Sequence, residues 1–506
     1  MATSTELAAS RRPLIDGKPS GSLSVCVRVA EPEASQLLSH LFVRYPSKEW
    51  ATFLRLGWRA TSDSLLLTIA EIDGPLDGDL NSAVSHVAID EKYSLRAALR
   101  AESHSLAVGI AHSHPENCKP LASRIDDEMD SYYSAYFGQF APHRPYVSLI
   151  ASRIDGRLRL TGRVFWEASW HHVSHFVVQT DAHGIIVERP ADAPVGAWRE
   201  RSARLRSAFG DEAERRLRSA TVGVLGAGGT GSAAIEVLAR AGVGRLIVVD
   251  PDHLDESNLE RVHGSVPADA REQTPKALLA KRHIEAIDPE CRVQAITGAL
   301  PQVDVVNALT QADVAIGCTD QQHGRVALSD MAVRYLLPAI DCGVGLEGKS
   351  GVVRGQIVQL VRFHPADACV LCRDMLNPQQ LARELMSDEE RHARRTAAQA
   401  ARSRGENANP YWQDIPQLNT VGYLTTVAGA LAAAYVIGWL TGRFDAPFSR
   451  LQLNLVAREF DVTNNEQQAR KACVCRRVRG WADQAIADAM ISAPRHWPSP
   501  TSYSTN

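Results

Sequence analysis

In the first third of the chain, short apolar stretches of strand length, residues 64–69 and 146–151, alternate with segments of helical periodicity, residues 33–43 and 126–136. That alternation predicts a mixed α/β unit. Ala193-Pro194-Val195-Gly196 interrupts the pattern. Beyond it come a charged helical stretch over 198–218, a strand over 221–225, a glycine turn, a helix over 232–241 and strands over 245–249 and 314–317. Strand, turn, helix and strand in that order predict a parallel sheet with crossover helices. The longest apolar run, residues 427–440, is the length of a helix in a globular core, and no run approaches the 18 apolar residues of a membrane span. Residues 388–404, DEERHARRTAAQAARSR, have helix-forming composition without an apolar stripe and read as a solvated surface insertion.

These patterns divide the chain into a tail over 1–20, an α/β unit over 21–170, a linker over 171–195, a second α/β unit over 196–493 and a tail over 494–506. The tails are rich in small polar residues and proline, too poor in apolar content to offset their ordering entropy. With 506 residues, 45% of them apolar, there is material for two cores. Lys plus Arg total 55 against 58 Asp plus Glu, so no overall basic field recruits nucleic acid or a membrane surface. Nine cysteines, an odd count, argue against a secreted disulfide framework, and the amino terminus lacks a secretory pattern. A cytoplasmic protein is expected.

The first candidate chemistry lies at Ala111-His112-Ser113-His114-Pro115, followed by Ser123-Arg124-Ile125-Asp126. Two histidines two apart on an extended segment point the same way. A carboxylate from a following helix completes three protein ligands and leaves a fourth position for water. His171, His172 and His175 lack such partners and read as structural. This pattern, with the apolar run 106–110 leading into it, resembles the JAMM (MPN-plus) metalloproteases over roughly residues 21–170. The resemblance implies zinc on His112, His114 and Asp126, Ser123 stabilising an oxyanion, and a glutamate activating the water. Glu49, in Glu49-Trp50-Ala51-Thr52-Phe53-Leu54, matches the family's segment, with Glu71 as the alternative. Eight residues separate His114 from Ser123 where the family has seven. The implied reaction is amide or isopeptide hydrolysis.

The second lies where residues 221–225 run into Gly226-Ala227-Gly228-Gly229-Thr230-Gly231 and a helix. Glycines let a backbone approach phosphate, and the helix amino terminus supplies N–H donors. Alone, with Asp250 at ribose distance, this suggests a dinucleotide-binding oxidoreductase. The downstream set Asp250-Pro251-Asp252, Glu256-Ser257-Asn258-Leu259-Glu260-Arg261, Thr274-Pro275-Lys276 and Gly317-Cys318-Thr319-Asp320 instead resembles the ubiquitin-activating-enzyme-like adenylyltransferases of the ThiF/MoeB type, over about residues 198–480. The resemblance implies a Rossmann-like fold with a mainly parallel sheet that binds ATP. Asp250 and Asp252 hold the ribose region, Asn258, Arg261 and Lys276 the triphosphate, and Asp320 magnesium. It also implies a homodimer in which an arginine of Arg201-Ser202-Ala203-Arg204 reaches the partner's ATP site. Cys369-x-x-Cys372 and Cys473-x-Cys475 stand where the family carries a structural zinc, although its second knuckle is usually Cys-x-x-Cys. No cysteine lies between Cys372 and Cys473, so Gln417, Leu418 or Asn419 stands about where thioester-forming members have their nucleophile. Cys318 and Cys342 read as structural.

The two resemblances together imply one pathway, as in bacterial ubiquitin-like modification systems, some of them implicated in phage defence. The second unit adenylates a small ubiquitin-like or sulfur-carrier protein ending in glycine, and the first trims its precursor or removes it from targets. Without a crossover cysteine, the acyl group passes to an external acceptor such as a conjugating-enzyme partner. A peptide-modifying adenylase and a scaffold are the alternatives.

Overall fold

The computed structural model describes residues 23–43, 48–82, 87–154, 157–179, 185–188, 200–349, 351–413, 420–444, 446–456 and 468–504. The chain divides into two compact units, the first comprising Met1–Asp192, Arg334–Leu336 and Val478–Ala487, the second the remainder.

In the first unit the strands are β1 (Ser24–Val29), β2 (Ala51–Ala60), β3 (Ser64–Asp73), β4 (Leu80–Ser82), β5 (Val87–Ile89), β6 (Ala107–Ser113), β7 (Tyr146–Ile154), β8 (Arg157–Trp166), β9 (Ser169–His172), β10 (His175–Gln179) and β11 (Ile185–Glu188). β4 and β5 form a separate ribbon, and the other nine form one mixed sheet in the order β11-β10-β1-β3-β2-β6-β7-β8-β9. The alternation of strand side chains divides its core in two. Leu54, Leu56, Leu65 and Leu67 pack with Leu37, Leu41 and Phe42. Phe53, Val108 and Ile110 pack with Tyr93 and Ala97 of the Glu91–Ser103 helix and Tyr133 and Phe137 of the Arg124–Phe140 helix. Phe53 makes edge-on ring contacts with Tyr93, Tyr133 and Phe137 at centroid distances of 4.7, 5.6 and 5.4 Å. Edge-to-face pairs of this kind add to plain burial.

Two expected boundaries are corrected. Residues 171–195 are not simply a linker, because β9, β10 and β11 take places in the sheet, β10 pairing parallel with β1 from Cys26↔His175 onwards. His171 and His172, read as structural, lie in β9. Nor do residues 334–336 and 478–487 belong with the second unit. The Thr68 hydroxyl donates to the Gly480 carbonyl at 2.7 Å, the Trp58 N–H to Gln484 Oε1 at 2.6 Å, and the Tyr335 hydroxyl to Asp483 at 2.6 Å. These bonds give buried polar groups of the sheet their partners. The expected tail over 1–20 lies outside the described residues.

The second unit has β12 (Thr221–Leu225), β13 (Arg245–Val249), β14 (Arg292–Thr297), β15 (Val314–Gly317), β16 (Ala339–Lys349), β17 (Val352–Phe363), β18 (Arg450–Asn454) and β19 (Thr501–Ser504), in the order β18-β17-β16-β15-β12-β13-β14-β19. The centre, β14 to β16, is parallel, as expected of strands joined by crossover helices. The sheet as a whole is mixed, because β17 and β18 on one side and β19 on the other pair antiparallel. β19 also corrects the expected tail over 494–506: its register, Ala295↔Tyr503 and Thr297↔Thr501, caps an edge that β14 would otherwise expose.

The apolar run at 427–440 lies in the Gly422–Thr441 helix, the one helix among the described residues long and apolar enough to cross a membrane. Ala428, Ala432, Ala433, Val436 and Trp439 are buried, and a Cβ at Gly429 would come within 2.2 Å of the Thr230 carbonyl, so the helix crosses the Gly229–Ala241 helix at backbone distance. The charged segment forms the Asp388–Ser403 helix, and it is not wholly solvated: Ala398 and Ala401 pack with Ala408 and Trp412.

Candidate functional site

In the first unit the strand register assembles the metal-binding pattern. β2 and β6 pair antiparallel, Ala51 facing His112, and the pairing continues with the Ser113 N–H donating to the Trp50 carbonyl at 2.9 Å. Glu49, the next residue along, is close enough for its charge to act on His114. Val108 and Ile110 face the Arg124–Phe140 helix, and two-residue periodicity carries His112 and His114 to the same side. Ser123 is the N-cap of that helix: its Oγ accepts from the Asp126 N–H at 3.3 Å, and its own N–H donates to Asp126 Oδ2 at 2.6 Å. This capping box aims Asp126 at the histidines.

Ligand atoms of His112, His114 and Asp126 all lie within 4.8 Å of one another. His112 Nε2 approaches Asp126 Oδ1 to 3.1 Å without hydrogen-bond alignment, and both His112 ring nitrogens are buried without a hydrogen-bond partner. Buried orphaned nitrogens facing a carboxylate fit a divalent ion better than a protein hydrogen bond. Burial would raise the Asp126 pKa, but the two imidazoles hold it well below the usual range; burial disfavours the His114 imidazolium, but Asp126 and the Glu49 charge raise its pKa. Both show the charge complementarity of a site built around an ionised Asp126. Glu71, the alternative proton acceptor, is tied to Arg55 in an ion pair instead.

In the second unit the two knuckles meet. Cys369 Sγ lies 3.7 Å from Cys473 Sγ, Cys372 Sγ 3.8 Å from Cys475 Sγ, and all four sulfurs lie within 4.8 Å of one another. The Cys-x-Cys spacing therefore does not prevent convergence. Sulfur contact with Cys475 holds the Cys369 thiol down at about 5, and the Cys475 thiol is driven up in return. Four sulfurs converging in this way suit a closed tetrahedral zinc site.

The glycine turn between β12 and the Gly229–Ala241 helix opens a cavity of about 710 Å³. Gly226 has φ +90°, and a Cβ there would meet the Cys318 carbonyl at 2.7 Å. Gly231 does not line the cavity; it packs beneath the turn, where a Cβ would lie 1.7 Å from the Gly226 carbonyl. Asp250 Oδ2 accepts the Ala227 N–H at 2.6 Å and Oδ1 the Asp252 N–H at 2.8 Å, so this carboxylate organises both the turn and the loop after β13. Burial pushes its pKa up to about 6, with Lys276 pulling against it. Asn258 Oδ1 accepts the Asp255 N–H at 3.2 Å, which fixes the loop that carries Arg261.

Gly226, Gly228, Gly229, Asp250, Asp252, Asn258, Arg261, Lys276 and Asp320 all line this cavity. Arg201 and Arg204 are exposed and do not line it. Gln417, Leu418 and Asn419 lie outside the described residues. Cys318 and Cys342, with sulfurs 3.4 Å apart, line the cavity too, and burial with the Cys318 contact drives the Cys342 thiol well up, away from thiolate chemistry.

Sequence reasoning missed a further set of lining residues: His323, Arg383, Glu384, Arg391, Arg395 and Trp412. Arg383 and Arg395 stack on the Trp412 ring at 4.5 and 4.8 Å. Arg391 and Arg395 come from the charged helix, one turn apart on one side. Ala398, seven residues after Arg391, falls on the same side of that helix, and the pair Ala398 and Ala401 was the available signal.

Comparison with known proteins agrees with this geometry. The ThiF family model matches residues 200–476, more than half of the chain. The SAMP-activating enzyme E1 of Haloferax volcanii is 32% identical over 32% of this chain and 57% of its own length. The sulfur carrier protein adenylyltransferase of Thermus thermophilus is 36% identical over 26% of this chain and 48% of its own. The chain thus spans about half the length of the curated relatives it matches. Among solved structures, E. coli MccB with MccA-N7isoASN is 20% identical over 54% of this chain and 74% of that one, at a TM-score of 0.40. With a glycine turn and a paired-aspartate loop inside the matched span, the chain belongs to the ThiF family.

Proposed function

We propose that this chain has two activities on one small partner protein. The second unit adenylates the partner's carboxyl-terminal glycine, and the first hydrolyses peptide or isopeptide bonds at that terminus. The adenylation half is carried by one observation: a glycine turn at a helix amino terminus shares its cavity with Arg261, Lys276, Asn258 and Asp320. A carboxylate attacking the α-phosphate of ATP brings two anions together, and such a site must neutralise them. Backbone N–H groups of the turn receive phosphate oxygens, Lys276 and Arg261 balance the charge that develops as pyrophosphate leaves, and Asp250 and Asp252 receive the ribose. Asp320 would hold magnesium, which adds to that neutralisation when bound. The names of the Haloferax and Thermus relatives support a small ubiquitin-like or sulfur-carrier protein as the substrate.

For the first unit the proposal is JAMM-type zinc hydrolysis. His112, His114 and Asp126 would hold the ion, which when bound acidifies a water and polarises the scissile carbonyl. Glu49, beside His114, takes the water proton and returns it to the leaving amine. The Ser123 oxygen already accepts the Asp126 N–H, so its own O–H is left to donate to the developing oxyanion.

The four cysteines would hold a second, structural zinc. Arg201 and Arg204, exposed on their own chain, would serve the partner's cavity in a homodimer, and the setting is cytoplasmic. The absence of any cysteine between Cys372 and Cys473 sends the acyl group to a partner's thiol or amine, such as a conjugating enzyme's. The test is capture: Glu49→Ala is purified with ATP from its native cell, and intact masses are taken with and without thiol treatment. A small glycine-terminated protein, free, adenylated or attached, supports the proposal, and a thiocarboxylate on it selects sulfur-carrier chemistry. Recovery of a short peptide adenylate instead would overturn the protein-modifier reading.

A further inference from the structure

We infer that His323, oriented by Glu384, is the base that takes the proton from the external thiol or amine to which the acyl group is passed; the inference rests on the adenylation reading above. His323 lines the nucleotide cavity and is otherwise buried, at 5% exposure. Its Nδ1 lies 3.0 Å from Glu384 Oε2, and the same carboxylate accepts the backbone N–H groups of Gln322 and His323 at 3.0 and 2.9 Å. Glu384 therefore meets the amino terminus of the Gln322–Arg334 helix from a different helix, Pro378–Glu384. Burial works against the Glu384 charge, but the His323 side chain and these two N–H groups outweigh it and keep the carboxylate ionised.

An ionised Glu384 fixes the proton on Nδ1 and leaves Nε2 as the acceptor nitrogen. Nε2 has no hydrogen-bond partner among the described residues and is not one of the sealed, unpaired nitrogens of the protein. Trp497 meets the ring at 4.8 Å and 65°, which fixes its plane. An imidazole held by a carboxylate among the residues that line a reaction cavity is the arrangement of an oriented general base.

The chemistry also requires one. The first half-reaction needs no proton acceptor, because its nucleophile is already a carboxylate. In the second, the acceptor's sulfur or nitrogen bonds to the acyl carbon, and the bond from that carbon to the phosphate oxygen breaks. AMP leaves with the electron pair, and the S–H or N–H proton passes to His323 Nε2 while the Nδ1 proton stays on the imidazole, hydrogen-bonded to Glu384.

The test uses full-length His323→Gln, His323→Ala and Glu384→Gln with a recombinant glycine-terminated ubiquitin-like carrier as the probe. ATP–pyrophosphate exchange reads the first half, and AMP release on adding 2-mercaptoethanol or glycinamide reads transfer to a thiol or an amine. In His323→Gln the ratio of transfer to exchange falls about 10²-fold. Added imidazole restores transfer in His323→Ala, and Glu384→Gln lies between His323→Gln and the native chain. An unchanged ratio, an equal loss of both steps or no rescue by imidazole overturns the role of His323. Absence of exchange in the native chain overturns the adenylation reading itself.

Discussion

Lys276 Nζ lies 3.0 Å from Asp252 Oδ2, and the Lys276 N–H donates to the Asp252 carbonyl at 2.9 Å. The lysine that would meet the triphosphate is thus held in place by the loop after β13 before any nucleotide arrives. Such preorganisation spares reorganisation at the moment charge develops. Lys276→Ala is expected to lower the rate of ATP–pyrophosphate exchange by about 10²-fold or more, and Lys276→Arg to recover only part of it, because a planar guanidinium replaces a point charge. Steady-state exchange kinetics on the two variants check this.

Gly231 lies beneath the glycine turn, and an added Cβ would stand 1.7 Å from the Gly226 carbonyl. Because that neighbour is backbone rather than the end of a flexible side chain, Gly231→Ala must open the turn. Overpacking of this kind costs about 1–3 kcal/mol. Nucleotide protection of the fold, read as the rise in Tm on adding ATP, is expected to disappear in this variant while the second unit still melts cooperatively.

The two metal-ligand groups predict separable zinc. The native chain is expected to carry two zinc ions by elemental analysis, one lost in His112→Ala and the other in Cys475→Ser. Structural zinc contributes folding energy directly, so Cys475→Ser lowers Tm sharply and His112→Ala changes it little while abolishing hydrolysis. Two zinc ions retained in either variant contradict the assignment.

Glu236 binds His263 Nδ1 at 3.0 Å, His283 Nε2 at 3.3 Å and Arg240 at 2.8 Å. Burial raises its pKa, but these partners bring it down to about 2. With the folded pKa below the unfolded value of about 4.5, the unfolded state takes up the proton first as pH falls. The stabilisation is therefore complete above pH 4.5 and is lost between there and about 2, and it is modest because Glu236 is partly solvent-screened. Glu236→Gln is expected to melt below the native chain at pH 6, with the difference shrinking from pH 5 to pH 3 in thermal scans.

What the sequence makes readable here is local. The turn from Gly226 to Gly231, the strands on either side and the histidines two apart follow from residue type and period, and the structure brings the histidines near Asp126 and the turn to the edge of a cavity. Spacing also pointed to Cys369, Cys372, Cys473 and Cys475, whose meeting depends on the fold between the knuckles. Long-range partnerships left no such trace. The Thr68 hydroxyl finds the Gly480 carbonyl across hundreds of residues, and nothing in either segment announces it. The same holds for Glu384 and His323. The Asp388–Ser403 helix was misread because alanines, Ala398 and Ala401, do the packing that larger apolar residues usually signal. The place of β9 to β11 in the first sheet was obscured by short strands interrupted by polar turns.

The central claim is that the cavity of the second unit activates a carboxyl terminus with ATP. The most direct measurement is incorporation of labelled pyrophosphate into ATP by the full chain, with and without a glycine-terminated carrier protein. Exchange that depends on the carrier, needs magnesium and falls in Lys276→Ala is the predicted result. Exchange absent with every such carrier, in a chain that binds ATP with its zinc in place, would contradict the account.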